Sequence, residues 1–354
     1  MLNVAVVYGG QSGEHEVSIQ SAKYVLKLLK NGKYNPIPVA IDKQGRWFGD
    51  ITPEKFEQNG NGGIPLLFNL TDKTLIKIEE GKQISLDIDV FFPVLHGPYG
   101  EDGSIQGMLD MLDIPYVGSE VLGSAVAMDK AVSKNILENK GFPVAPYTTF
   151  KSHTWNNKQQ IIIEECEKLG YPLFIKPANL GSSVGITKAK DKKQLIESIE
   201  FALLYDHKIV VEKGLTAKEI EVSIIGNEEP IASTTGEIIP TGEFYDYEAK
   251  YIEKSSTTIP ANVDDTVTNQ AQKLAKEAFL ALDLKGISRV DFFYEEKADK
   301  LWINEINTMP GFTPISMYPK LLIASGFTED KLADTLVKLA LKRHKSKKQL
   351  KGDR

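Results

Sequence analysis

The chain has 354 residues, enough for two or three domains, with 42% hydrophobic and 25% charged residues, as in a soluble protein with a sizeable core. Its formal net charge of −6 argues against a nucleic-acid-binding protein, and the single Cys166 excludes an internal disulfide and a multi-cysteine metal site. The chain shows no targeting pattern and no apolar run of about 18 residues. We therefore expect a cytoplasmic protein that binds neither membrane nor nucleic acid.

Strands and helices alternate in the first third of the chain. A buried strand is predicted at 4–8, and an amphipathic helix follows it and ends near Gly32. Further elements are predicted in order, namely strands at 35–41 and 89–95 and a helix at 103–114. This alternation favours a parallel sheet with helices packed on it. The segment 43–86 is rich in Gly, Asn and Lys and is interpreted as a surface insertion.

The rest of the chain predicts two further α/β segments after a boundary near 118–123. Helices are predicted at 124–140, 158–169, 191–204 and 266–282, and strands at 208–214, 219–226 and 229–236. The polar, aromatic stretch 240–258 is predicted to be a loop that closes over a site. The basic end, 342–352, is interpreted as a solvated continuation of the last helix.

A hairpin is predicted from the runs 286–294 and 301–307, which are separated by the polar loop "EEKADK". If the turn centres on Ala298, Asp291 lies opposite Glu305 on the neighbouring strand. Cross-strand partners share a face, so two carboxylates would repel each other unless a cation lay between them.

The same register places Arg289 opposite Asn307, and the face should also carry Phe293 and Ile303. Two acids and an amide oxygen suit Mg²⁺, which usually takes its other ligands from substrate phosphates. The alternative is a chance polar face on an exposed sheet. The accompanying apolar residues favour the wall of a nucleotide-binding cleft.

A phosphate-binding segment is predicted at 174–187, "FIKPANLGSSVGIT", although no P-loop and no G-x-G-x-x-G motif occurs in the chain. Lys176 ends a strand, and the loop after it can present backbone N–H groups to phosphates. Lys130 is a second candidate cation. A plain turn and a solvated lysine remain the alternatives.

Eight stretches, in order along the whole chain, resemble the ATP-grasp ligases and, among these, the D-alanine–D-alanine ligase family. They are "GGQSGEHEVS", "LHGPYGEDGSIQG", "MDK", "KPANLGSSVGI", "EKGLTAKEIEVSIIG", "FYDYEAKY", "SRVDFF" and "NEINTMPGFT". The resemblance implies a three-domain ATP-grasp fold with a Rossmann-like amino-terminal domain (1–122), a central α+β domain (123–213) and a carboxy-terminal domain with an antiparallel sheet (214–354).

The resemblance also implies which residues bind ATP and metal. Asp291, Glu305 and Asn307 would bind two Mg²⁺ or Mn²⁺ ions that bridge the phosphates. The phosphates would be held by cations and a loop hydroxyl, namely Lys130, Lys176, Lys250 and Ser183. The stretch around Lys213 would face adenine, with Glu212 as the acid beside the base and Glu219 as the partner of the ribose.

For the amino-acid substrates, the resemblance implies that Glu14 holds the first ammonium group and that Ser182 and Tyr251 are its hydrogen-bonding partners. His96 would lie beside the first carboxylate. Arg289 and the N–H of Gly311 would stabilise an oxyanion, and Ser316 and Met317 would form the pocket for the second amino acid.

The reaction implied is the joining of two D-alanines through an acyl phosphate, with ADP and phosphate as products, for peptidoglycan precursor synthesis. Two alternatives stay open: a sister ligase that uses D-lactate or D-serine, and an ATP-grasp protein that binds a nucleotide without ligase chemistry. The family also implies a homodimer and raises K⁺ as an additional cofactor.

Overall fold

The computed structural model describes residues 1–30, 33–60, 62–239 and 256–350. The described strands form three sheets of seven, four and five strands. In that part of the chain, no helix combines the length and the apolar character needed to cross a membrane.

The first sheet contains the predicted parallel strands. β1 (Leu2–Gly9) pairs in parallel with β2 (Tyr34–Ile41) on one side and with β7 (Val90–Pro93) on the other. Helix α1 (His15–Lys30) follows β1, and α3 (Ser104–Leu112) follows β7. Ligands of parallel sheets bind at the carboxyl ends of such strands, so β1 and β7 direct their following loops to one edge.

The interpretation of the segment 43–86 as a surface insertion was wrong, because the segment forms part of the first sheet. Its strands extend the first sheet in the order β6-β5-β4-β3-β2. They are β3 (Trp47–Gly49), β4 (Ile64–Asn69), β5 (Thr74–Glu79) and β6 (Lys82–Leu86), with α2 (Pro53–Asn59) between the first two. Phe56 and Leu75 are fully buried. Short strands with few apolar residues each give little periodicity to recognise.

The second sheet has the order β10-β9-β11-β8. Its strands are β8 (Tyr147–Lys151), β9 (Leu173–Pro177), β10 (Thr187–Ala189) and β11 (Lys208–Lys213), with helices α6 (Ser152–Glu167) and α7 (Lys192–Ala202). Cys166 is buried, with a free thiol, in the core of this part.

The single helix predicted at 124–140 is wrong, because the chain forms α4 (Val121–Met128) and α5 (Lys130–Asn139) instead. Asp129 lies between them in an extended conformation, and its Oδ1 accepts hydrogen bonds of 3.1 Å from the N–H groups of Ala131 and Val132. Asp is a favoured N-cap, so it starts a new helix here.

The third sheet has the order β14-β13-β12-β15-β16 and is antiparallel. Its strands are β12 (Lys218–Gly226), β13 (Ile231–Ile239), β14 (Ser256–Thr258), β15 (Gly286–Glu295) and β16 (Lys300–Asn307). Helix α8 (Asp265–Ala281) shares a hydrophobic core with β12, β15 and β16. The opposite face of β15 and β16 carries the polar residues predicted for the hairpin.

The last helices, α9 (Met317–Ala324) and α10 (Glu329–Lys348), contribute to the same hydrophobic core as β1 and α1. The basic end is not simply solvated as predicted. Arg343 is buried and donates to the carbonyl groups of Tyr116 and Gly118, and Lys347 pairs with Asp110 at 3.0 Å. Each sheet lies within one of the three predicted domains, whose bounds stay a prediction.

Candidate active site

The end of the β15–β16 hairpin away from the turn has the pairs predicted from the sequence, whereas the strands next to the turn are one residue out of the predicted register. Asp291 pairs with Glu305, and Arg289 pairs with Asn307. The row of acids continues onto β12, because Glu221 is the partner of Asp291 on its other side. Three carboxylates therefore lie in one row across three adjacent strands, since partners in register project from the same face.

The prediction that Ile303 shares this face was wrong. The register shifts between Asp291 and Phe292, so that Phe292 pairs with Ile303 and Asn304 is the extra residue of a β-bulge. Ile303 and Phe292 are buried in the core against α8. A bulge re-aims the side chains beside it, and here it directs Asn304 toward Lys176, whose Nζ lies 3.3 Å from Asn304 Oδ1.

Cationic side chains balance the row of acids. Arg289 Nε and Nη2 each donate to Asp291 at 2.7 Å, and Nε lies 3.2 Å from Glu221 Oε2. Lys130 Nζ lies 3.5 Å from Glu305 Oε2. Burial acts to lower the pKa of Arg289, but the carboxylates of Asp291 and Glu221 raise it well above its ordinary value. The guanidinium is therefore charged at any physiological pH.

The donor set fits a hard divalent cation that is completed by phosphate oxygens. Asp291 and Glu305 supply carboxylates, and Asn307, whose Nδ2 lies 2.9 Å from Asp291 Oδ2, supplies an amide oxygen on the same face. Across the described residues, no three His, Cys, Asp or Glu side chains already form a cage for a metal. Mg²⁺ is usually bound by one or two carboxylates together with substrate phosphates, so a pre-formed cage is not required.

A cleft of about 1190 Å³, including the solvent in its open mouth, lies between the second and third sheets. It brings together predicted residues from both sheets and from α5, namely Lys130, Lys176, Ser182, Ser183, Glu212, Lys213, Glu219, Arg289, Asp291 and Glu305. Phe174, Leu215 and Phe293 add apolar surface to the same walls. Charged and apolar groups in one cleft suit a nucleotide, which has phosphates and a base.

The glycine- and serine-rich loop covers one end of the cleft. Ser182 and Ser183 have positive φ angles of 49° and 59°, and Gly185 has a φ angle of 74°. Consecutive residues in this region turn backbone N–H groups into a concave nest that binds anions. Lys130 Nζ reaches the same loop and donates to the carbonyl of Leu180 at 2.6 Å.

A buried ionic trio forms the wall beside this loop. Glu212 is 2% exposed, and its two carboxylate oxygens lie 3.1 Å from Lys134 Nζ and 2.9 Å from Lys176 Nζ. Burial acts to raise the pKa of Glu212, but the two lysines lower it. Burial also acts to lower the pKa of Lys176, which Glu212 and Glu305 raise above its ordinary value. Both groups are therefore ionised.

Glu14 reaches the cleft from the first sheet. It lies in the loop between β1 and α1, and Ser182 Oγ donates to its Oε1. A Cβ atom at Gly97 or Gly181 would come within 3.0 or 3.1 Å of Glu14 Oε2. A side chain at either position would therefore displace the carboxylate by a few tenths of an ångström, and Gly97 also has a positive φ angle of 79° that favours glycine.

His96 is buried beside this carboxylate. Its Nδ1 lies 2.8 Å from the carbonyl oxygen of Met309, and its Nε2 lies 2.8 Å from Ser21 Oγ. Burial lowers the pKa of His96 from its ordinary value of 6.5, against the charge of Glu14, which acts to raise it. A neutral imidazole is therefore favoured at neutral pH.

The segment after β16 brings the other predicted substrate residues close together. Ser316 Oγ accepts a 3.0 Å hydrogen bond from the N–H of Thr313, and a Cβ at Gly311 would lie 3.0 Å from the same oxygen. Met317 is buried at the start of α9. Tyr251, Lys250 and most of the predicted loop at 240–258 lie outside the described residues.

Sequence reasoning missed Glu221, Lys134, Asn304 and Glu101. Glu101 is buried, and burial followed by the charge of Glu14 raises its pKa well above the ordinary value. The regular alternation of β12 could have identified Glu221, two residues after Glu219, as a residue of the same face. The other three residues can be identified only from contacts between segments that are distant in the sequence.

Two models of known protein families match most of the chain. The family models "D-ala D-ala ligase N-terminus" and "D-ala D-ala ligase C-terminus" match residues 3–119 and 136–338. The D-alanine–D-alanine ligase of Natranaerobius thermophilus is 48% identical over 353 residues, which cover 98% of this chain and 96% of that protein.

Solved structures are also similar over nearly the whole length. The D-alanine–D-alanine ligase from Coxiella burnetii has a TM-score of 0.86 at 34% identity, covering 99% of this chain and 98% of that one. A D-Ala:D-Ser ligase from Enterococcus faecalis has a TM-score of 0.85 at 35% identity, covering 96% and 99%. The chain therefore belongs to the D-alanine–D-alanine ligase family and has the ATP-grasp fold expected from its sequence.

Proposed function

We propose that the protein joins two D-alanine molecules into D-alanyl-D-alanine for peptidoglycan precursor synthesis, using ATP and releasing ADP and phosphate. The observation that carries this proposal is the register of the hairpin, which places Arg289, Asp291, Glu305 and Asn307 on one face beside the cleft. A protein that only binds a nucleotide would not need Arg289, the proposed oxyanion donor, beside these carboxylates. The family membership supports the same activity.

The first step activates a carboxylate, which is a poor electrophile. A carboxylate oxygen of the first D-alanine attacks the γ-phosphorus of ATP, the bond to the β-phosphate oxygen breaks, and ADP leaves. The product is an acyl phosphate. Protein groups accelerate such a transfer mainly by positioning the reactants and by neutralising charge.

Residues from the second sheet, the third sheet and α5 take part in this step. Lys130, Lys176 and the loop around Ser183 hold the phosphates, while the segment around Lys213 and Glu219 binds the base and ribose. Glu212 lies beside the base and fixes Lys176 through its carboxylate. Lys250 would add a phosphate contact. Asp291, Glu305 and Asn307 would hold Mg²⁺ or Mn²⁺, which would neutralise phosphate charge and align the γ-phosphoryl group.

The second step forms the amide. The neutral amine of the second D-alanine attacks the acyl carbon, and the carbonyl oxygen becomes an oxyanion. The bond to phosphate then breaks as the carbonyl is restored, and the departing phosphate takes up the proton that the nitrogen loses. Arg289 and the N–H of Gly311 donate to the oxyanion. Ser316 and Met317 form the pocket for the second carboxylate and side chain.

Glu14 binds the ammonium group of the first D-alanine. Ser182 and Tyr251 hold the carboxylate of Glu14 in place. His96, kept neutral by burial, lies beside the first carboxylate without adding a second positive charge. We also propose that the protein acts in the cytoplasm as a homodimer and that K⁺ assists it.

The test is the release of phosphate from ATP and Mg²⁺ with and without D-alanine. Phosphate release should require D-alanine and should match the dipeptide formed, one to one. Formation of AMP and pyrophosphate would contradict the acyl-phosphate mechanism. Nucleotide binding without any release would instead support the non-catalytic alternative.

A further inference from the structure

Lys134 is a buried cation that the reaction scheme above does not use. It lies one helical turn after Lys130 on α5 and is 2% exposed. Its Nζ is 3.1 Å from Glu212 Oε1 and donates to the carbonyl oxygen of Asn304 at 3.0 Å. A buried ammonium group is unfavourable unless it is paired and hydrogen-bonded, and these two contacts provide both.

The Asn304 carbonyl belongs to the β-bulge that precedes Glu305. Lys134 binds the backbone of the bulge, and Lys176 binds the side chain of the same residue at 3.3 Å. Two lysines from separate elements, α5 and β9, thus fix the residue next to Glu305. The direction of the Glu305 carboxylate depends on the bulge, because a bulge sets the local twist of its strand.

Lys134 also controls the charge of the cleft wall. Burial lowers the pKa of Lys134, against the charge of Glu212, which acts to raise it. When Lys134 is protonated, it and Lys176 contribute two positive charges and Glu212 one negative charge, which leaves one net positive charge on these three residues. Without Lys134, the wall would be neutral and Glu212 would have Lys176 as its remaining lysine partner. An anionic ligand would then compete with Glu212 for Lys176.

We propose that Lys134 is a positioning residue for the nucleotide phosphates, which acts by sharing Glu212 with Lys176 and by fixing the bulge before Glu305. This inference rests on the proposed function, since it assumes that the phosphates of ATP lie beside Lys176. Lys134 itself lies behind the cleft wall and does not touch the nucleotide.

The experiment compares Lys134→Met, which keeps the length of the side chain but removes the charge, with Lys140→Met at the exposed end of the same helix. The affinities of the full-length protein for ADP and for adenosine are measured by calorimetry, together with kcat and KM for ATP. Lys134→Met should weaken ADP binding by at least about tenfold. It should weaken adenosine binding much less, and Lys140→Met should change neither.

A second pair of variants separates positioning from stability. In Lys134→Met/Glu212→Gln, the carboxylate left by the first substitution is neutralised, so Lys176 is released and part of the ADP affinity should return. This double variant also provides the test if Lys134→Met does not fold, because it should still bind ADP more weakly than Glu212→Gln alone.

The possible outcomes are distinct. Equal losses for ADP and adenosine, or unchanged ADP affinity in Lys134→Met, would overturn the role of Lys134. An ADP affinity in the double variant equal to that of Glu212→Gln would overturn the part of the role that acts through the bulge, and an affinity no higher than that of Lys134→Met would overturn the part that acts through Glu212. A wild-type protein that binds no ADP would instead refute the proposed function itself.

Discussion

Ser182 and Glu14 are 168 residues apart in the chain, and the hydroxyl of the first donates to the carboxylate of the second. This hydrogen bond joins the glycine- and serine-rich loop of the second sheet to the edge of the first. The loop proposed to bind the phosphates therefore also contacts the residue proposed to bind the first ammonium group. We therefore expect the binding of the nucleotide and the binding of the first amino acid to depend on the same hydrogen bond.

Glu14→Gln should raise KM for the first D-alanine, because the substrate loses a charged partner. A hydrogen bond to a charged group contributes about 1.5–3 kcal/mol, so an increase of roughly 10- to 150-fold is expected. Ser182→Ala should have a smaller effect in the same direction. Initial-rate kinetics at saturating ATP provides the measurement, and Glu16→Gln, in an exposed ion pair with Lys43, is the matched control. A normal KM in Glu14→Gln would show that the ammonium group binds elsewhere.

Glu305→Gln and Asn307→Ala should each reduce kcat roughly 100-fold or more. The first removes the charge of a proposed metal ligand, and the second removes a ligand oxygen. Binding of Mn²⁺ in the presence of ADP, measured by electron paramagnetic resonance, should weaken in parallel. Lys300→Gln, at the exposed start of the same strand, is the control and should behave as wild type. Near-normal turnover in both site variants, with an unchanged circular dichroism spectrum, would mean that the hairpin does not bind the metal.

The pairs Asp291–Glu305 and Arg289–Asn307 could be predicted because strand alternation has a period of two and the polar loop indicated a turn near Ala298. Next to the turn the observed pairing is one residue away from the prediction, and the bulge compensates for this difference. The bulge at Asn304 could not be predicted, since one extra residue in a strand leaves no mark in composition. Lys130 and Lys134 both resemble solvated lysines on a helix in the sequence. Only the fold shows that one lines the cleft while the other is buried against Glu212 and Asn304.

Glu221→Gln should reduce kcat by roughly 10- to 100-fold with little change in KM for ATP, because Arg289 would lose one of its two carboxylate partners and with it part of its orientation. The effect should be largest on amide formation, for which Arg289 is the proposed oxyanion donor. Steady-state and single-turnover kinetics separate the two steps. Glu229→Gln, on the exposed turn after the same strand, is the control. A normal kcat in Glu221→Gln would show that Asp291 alone suffices to orient Arg289.

The stability of the protein should fall below about pH 6.5, and His96 should account for part of this loss. Burial lowers the pKa of His96 in the folded state, while in the unfolded chain the side chain has its ordinary value of 6.5. Between these two values the unfolded chain binds more protons, so the free energy of unfolding decreases as the pH decreases. Above pH 6.5 both states are neutral, and this contribution to the pH dependence disappears.

Urea unfolding of His96→Gln at pH 7.5 and at pH 5.5 tests this prediction. The variant should lose less stability between the two pH values than the wild type, even if it is less stable at both because two hydrogen bonds are altered. His153→Gln, on an exposed helix surface, should keep the wild-type difference. An identical pH dependence in His96→Gln and wild type would mean that His96 binds its proton equally in both states.

The last prediction concerns the second substrate, which the fold alone does not identify, because a D-Ala:D-Ser ligase has the same fold at 35% identity. A ligase that prefers D-lactate must reject the ammonium form of D-alanine, and a cation near the second site would do so by repulsion. No histidine occurs in 208–343, and the position that would carry such a charge is Tyr251, whose phenol is neutral at pH 7. With equal D-alanine, D-serine and D-lactate at pH 7, the main product should therefore be D-alanyl-D-alanine, identified by mass spectrometry. Tyr251→Phe should shift the products toward D-lactate, because it removes the hydroxyl that is proposed to support Ser182 and Glu14. A predominance of depsipeptide or of D-alanyl-D-serine from the wild-type protein would assign it to one of the sister activities.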